Sequence, residues 1–79
     1  MKQFDTHRFA RSIQRQMSES GLTTRPAAKK IGISPATLNR LVNGVFLPDI
    51  NTLFAVCKWL GRGMEFFYTN KKKDETNKN

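Results

Sequence analysis

The sequence predicts an all-α domain of five short helices, and three observations carry that prediction. Apolar residues recur three and four apart through most of the chain, these runs open on cap-type residues, and they close on glycine. No segment shows the apolar–polar alternation of a half-buried strand, and no internal repeat stands out. The domain is expected to occupy residues 1–68. Residues 69–79, TNKKKDETNKN, lack any apolar side chain and read as a disordered basic and polar tail.

Helix one is placed at about residues 6 to 19, after the cap-type pair Asp5 and Thr6 and before Gly21. Its inward face is Phe9, Ile13 and Met17. Arg8, Arg11 and Arg15 form a second stripe on the outer side, readable as a solvated face or as a phosphate-facing one. Helix two begins near Thr23 or Thr24 and stops at Gly32, with Ala27, Ala28 and Ile31 as its apolar side. Pro26 is tolerated because first-turn N–H groups have no helical acceptor.

Helix three is the most economical. Ser34 caps it, Pro35 sits where a fixed φ helps, and Gly44 supplies the stop. Leu38 and Leu41 turn inward, leaving Pro35, Ala36, Asn39, Arg40 and Asn43 outside. So short a helix is not stable alone in water, so its neighbours must hold it at the surface for some purpose. Helix four starts after Asp49 and runs to Leu60. At about 100° per residue, Ile50, Leu53, Phe54, Cys57 and Leu60 share one side while Thr52, Ala55, Val56 and Trp59 share the other, so it is apolar on two faces. The segment MEFFY after Gly63 is expected to form a last short helix.

Composition narrows the function. The chain has 79 residues, one cysteine and a formal charge of +8. One small domain without an internal disulfide must be stabilised by helix packing, and a reducing cytoplasm is its natural setting. No apolar run approaches the roughly 18 to 20 residues of a membrane span, and the amino terminus builds no signal core, so no membrane association or processing is expected. Residues 1 to 44 carry a net +6 and residues 45 to 79 a net +2. A basic excess on one half points to a polyanion-facing side. Enzyme chemistry finds no support. His7 is the only histidine, Cys57 sits on an apolar helix face, and the acids read as caps or surface charges. No catalytic residue, metal ligand or cofactor is assigned.

Helices two and three are joined by Gly32, Ile33 and Ser34 in a demanding order. Ala28 must be small for the helices to cross closely, Gly32 must relax φ at the turn, and Ile31, Ile33, Leu38 and Leu41 must fill the angle between them. These are the requirements of a helix-turn-helix. Arg40 can offer two parallel donors to guanine, and Asn39 or Asn43 can read adenine or hold a phosphate. Pro35 and Ala36 have no side-chain donor and can touch only thymine methyls or sugar.

On these residues the sequence resembles the Cro and phage-repressor family, the lambda-repressor-like, XRE-type DNA-binding domains. The resemblance runs from Gly21-Leu22-Thr23 through AAKKIGIS, TLNRLVNG and PDINTLFAVCKWLG to MEFFY. It implies a sequence-specific regulator that binds double-stranded DNA, commonly as a homodimer, with the third helix in the major groove. Base reading is assigned to Pro35, Ala36, Asn39 and Arg40, and backbone positioning to Thr24, Arg25, Lys29, Lys30, Ser34, Thr37 and Asn43.

Three departures from the family pattern bear on that reading. Thr24 stands where the family commonly has Gln. Met17 and Val42 stand where many members pair Arg with Glu, and losing both partners together is tolerable where losing one is not. Val45, Phe46 and Leu47 replace a basic loop, and either tuck under helix four or form a patch for a second protein. Val56, Trp59, Phe66 and Phe67 are likewise either doubly buried or part of a dimer contact. An antitoxin-like protein or an adaptor using the same scaffold is the alternative function. Without an effector domain, regulation by a small molecule is not expected.

Overall fold

The computed structural model describes residues 2–44 and 47–69. Four α-helices follow one another: α1 (Thr6–Ser20), α2 (Thr24–Ile31), α3 (Pro35–Val42) and α4 (Ile50–Leu60). A single 3-10 turn, Met64–Phe67, comes next. Two short strands, β1 (Gln3–Phe4) and β2 (Tyr68–Thr69), then bring the ends of the described chain together as an antiparallel pair, with Gln3 opposite Thr69 and Phe4 opposite Tyr68.

Local chemistry accounts for the helix boundaries. The Asp5 side chain accepts the Arg8 backbone N–H at 3.0 Å, Ser34 Oγ accepts that of Thr37 at 3.1 Å, and Asp49 accepts that of Thr52 at 3.0 Å. Each satisfies a first-turn donor that has no partner within its helix. Among the ends, Gly32 matters most to function. Its φ of +94° lets the chain leave α2 and enter the turn to α3 while its N–H bonds the Ala28 carbonyl at 2.8 Å. An L side chain there would be strained by the left-handed backbone even though the space is open.

The core is one cluster to which every helix contributes: Phe9 and Ile13 from α1, Ala27, Ala28 and Ile31 from α2, Leu38 and Leu41 from α3, Leu53, Val56 and Cys57 from α4. Phe67 completes it, fully buried, its ring edge-on to Phe9 at 5.0 Å. Burial of a large apolar side chain contributes roughly 1.5 to 3 kcal/mol. A helix cap contributes about 1, so the cluster rather than the caps holds the short helices in place. No polar or charged residue is buried among the described residues. Burial, and secondarily the Glu65 carboxylate, pushes the Cys57 thiol above its ordinary pKa, so at neutral pH it is a packing group.

The structure corrects four expectations. The fifth helix is only a 3-10 turn, because after four residues the chain extends to pair with β1, anchored by the Asp5 N–H bond to the Phe67 carbonyl at 2.7 Å. Tyr68 and Thr69, assigned to that helix and to the tail, are β2. Finally, α4 does not bury Ile50 and Phe54. They are 64% and 58% exposed, and the inward face is instead Leu53, Val56 and Cys57. Leu47 is also exposed, at 67%, and so does not tuck under α4. Val45 and Phe46, like the tail from residue 70, lie outside the described residues.

Candidate nucleic-acid interface

Helix α3 is held against the body by its apolar side and by one polar brace. Leu38 and Leu41 are buried, at 0% and 1% exposure. On the neighbouring helix, Gln14 Nε2 donates to the Val42 carbonyl at 2.6 Å, tying α1 to the last turn of α3. The sequence reading missed Gln14. It looks like one more polar residue on α1, and the only signal was indirect: Met17 and Val42 lack the ion pair that braces many relatives. Both are half-buried against the core, no buried polar side-chain atom is left unsatisfied among the described residues, and a neutral amide–carbonyl bond does the bracing instead.

The opposite side of α3 is open. Ser34, Pro35, Ala36, Asn39, Arg40 and Asn43 are all exposed, on a helix about 12 Å long. This size suits the major groove, which is roughly 12 Å wide. Thr37 is half-buried. Ser34 Oγ accepts the Thr37 N–H and donates its own proton to Thr37 Oγ1 at 2.9 Å. Ser34 is thereby committed to capping, whereas the Thr37 hydroxyl keeps its proton for an outside acceptor.

The preceding helix, α2, is rich in basic residues. Arg25, Lys29 and Lys30 are exposed, and Thr24, half-buried, is the first residue of the helix. The amino end of α2 differs from those of α1, α3 and α4: its cap residue, Thr23, makes no side-chain bond to the first turn. Thr24 and Arg25, the first two residues of α2, carry backbone N–H groups with no acceptor inside the helix, at the positive end of its dipole, where phosphate is favoured.

Of the aromatic and apolar residues considered for a partner contact, Val56 and Phe67 are fully buried in the core. Trp59 and Phe66 are half-buried and packed against it. Leu47 stands out at the start of α4, close in sequence to the exposed Ile50 and Phe54. The described residues contain no group of three histidine, cysteine or acidic side chains able to hold a metal ion. None of the described helices is long and apolar enough to cross a membrane.

Comparison with known proteins agrees with this geometry. No curated protein matches the chain. Among solved structures, it is similar to an HTH_3 family transcriptional regulator from Vibrio cholerae, at 24% identity and a TM-score of 0.65, over 78% of this chain and 35% of that one. It is also similar to the clp gene regulator ClgR from C. glutamicum, at 22% identity and 0.61, over 78% and 80% of the two chains. A transcriptional regulator from Listeria innocua aligns at 21% identity and 0.62, over 85% and 58%. The chain thus spans about a third of the length of the Vibrio protein, and at these identities the likeness shows the fold. The family model for HTH_3, helix-turn-helix, matches residues 13–67, from the middle of α1 to the end of the 3-10 turn, and the chain belongs to this helix-turn-helix family.

Proposed function

We propose that the protein reads a specific double-stranded DNA sequence as a small cytoplasmic regulator, repressing by occupancy of its site. The observation that supports this most is the exposure of Asn39 and Arg40 together on a braced α3, with Arg25, Lys29 and Lys30 exposed on the preceding helix. Arg40 provides the guanine contact, Asn39 the second base contact, and Pro35 and Ala36 the apolar edge against thymine methyls. Thr24, Arg25, Lys29, Lys30, Thr37 and Asn43 position the backbone. A bidentate arginine–guanine pair is worth about 1 to 3 kcal/mol of discrimination. One such arginine per half-site is a sparse code, so DNA shape and half-site spacing supply the rest.

The test is selection from a random duplex pool. Arg40→Ala is expected to relax preference at one base position per half-site while leaving others intact; an unchanged enriched sequence overturns the base-reading assignment. Lys29→Gln is expected to weaken binding to all sequences alike and to reduce the salt slope by about 1.

The exposed apolar group at the start of α4 supports a homodimer closed over Leu47, Ile50 and Phe54, with half-site centres about 34 Å apart on one face of the duplex. The same group is what favours the second reading, an antitoxin-like protein or adaptor docking a different protein there. A stoichiometric protein complex that survives high salt without DNA would favour that reading; steeply salt-dependent duplex binding favours the regulator.

A further inference from the structure

Away from α2 and α3, the outer face of α1 and the chain segment following α4 enclose a groove of about 430 Å³. Arg8, Arg11 and Arg15 line one wall, Arg62 and Leu60 the other, and Phe66 lies between them. The guanidinium carbons of Arg8 and Arg62 lie over the Phe66 ring at 4.4 and 4.3 Å. Both cations are thus held by the face of one ring, a contact that uses no hydrogen-bond acceptor.

Arg11 and Arg15 are like charges one turn apart, an unfavourable arrangement. Arg15 and Glu19 have the favourable spacing, yet no ion pair joins them or engages Arg8, Arg11 or Arg62 among the described residues. Asp5 is committed elsewhere: one oxygen accepts the Arg8 backbone N–H and the other the Thr69 hydroxyl. Four arginines and two carboxylates, Asp5 and Glu19, thus line the groove, which leaves a local excess of positive charge around the Phe66 ring.

We propose that this groove binds a compact oligophosphate, at a site separate from the duplex-reading face. Its volume falls within the roughly 300 to 1,000 Å³ of small-ligand sites. Arginine forks match phosphate oxygens bidentately, and the three arginines of α1 span about 10 Å along the helix, the scale of a short phosphate chain. A passing duplex fits less well. Asp5 and Glu19 stand at the two ends of the groove's helical wall, where continuing phosphates would meet carboxylates. Arg8 and Arg15 also lie about 100° or more around α1 from Gln14, the residue that reaches α3. The ligand is a free inorganic oligophosphate or the 5′-phosphate chain of a nucleotide.

Isothermal titration at about 0.15 M salt, with inorganic tripolyphosphate, magnesium-free ATP and a short duplex as probes, tests this. Tripolyphosphate is expected to bind about one per chain and to raise the melting temperature. ATP binding more tightly than tripolyphosphate identifies a nucleotide source, and the reverse order an inorganic one. The variant Arg8→Lys/Arg62→Lys keeps the charge and loses the forks and ring stacking. It is expected to weaken tripolyphosphate binding by about tenfold while duplex affinity stays within about twofold. Arg11→Lys/Arg15→Lys repeats the test without touching the Phe66 contacts, should the first variant unfold. No binding of tripolyphosphate, equal binding by both lysine variants, or a parallel loss of duplex affinity overturns the proposal. The last outcome would assign the groove to DNA and leave the α3 reading to its own selection experiment.

Discussion

Asp49 shows how a single exposed side chain controls where a helix begins. Its carboxylate accepts the Thr52 backbone N–H, and hydrogen bonding to Thr52 holds its pKa below the ordinary carboxylate value. A depressed folded-state pKa means that the unfolded chain binds the proton more readily. The stabilisation is therefore fully present above the unfolded pKa and is lost as pH falls through the folded one. Asp49→Asn keeps a capping oxygen that does not titrate. The melting-temperature advantage of the native chain over this variant should shrink between about pH 5 and about pH 2, and a pH-independent difference would refute the cap's electrostatic part. Such caps were readable because an aspartate or serine followed by a helical apolar run is a local pattern. Arg40 and Asn39 were readable for the same reason: Ser34 and Pro35 set the helix phase, and the phase sets which residues face out.

At the scale of elements, the bond between α1 and α3 carries the positioning. Removing a partly exposed hydrogen bond costs about 0.5 to 1.5 kcal/mol, so Gln14→Ala should lower the denaturation midpoint modestly with an unchanged slope. Gln14→Glu, which places an acceptor against the Val42 carbonyl, should be at least as destabilising. A glutamate variant more stable than the alanine one would show that the amide does not brace α3. The pairing lies 28 residues apart in the chain, and nothing in the local pattern of either helix announces it. The β1–β2 pair was hidden for a similar reason. Two-residue strands are too short for a period of two to register, and their Phe4–Tyr68 edge-on contact at 5.4 Å exists only once the fold closes.

For the molecule as a whole, the question is what the exposed apolar residues of α4 do. Helix α4 is apolar on two sides, and periodicity alone placed Ile50 and Phe54 on the same side as Leu53 and Cys57. Packing chose differently, since α1, α2 and the 3-10 turn together cover only the Leu53–Val56–Cys57 side. If the remaining face closes a homodimer, Phe54→Glu should shift sedimentation to monomer at micromolar protein and weaken binding to paired half-sites far more than to a single one. A dimer that survives Phe54→Glu and Ile50→Glu together would place the contact elsewhere.

By itself the amino-acid sequence determined the starts and stops of the four α-helices, the helix-turn-helix spacing and the outward residues of α3, because caps, glycine stops and helical phase are settled within a few neighbouring residues. Only the tertiary structure decided which side of α4 is inside, how α3 is braced by Gln14, and that Arg8 and Arg62 share the Phe66 ring at the edge of one groove. These depend on side chains far apart in the chain competing for the same contacts. The outcome is fixed by the packing of the whole core rather than by any stretch of residues read alone.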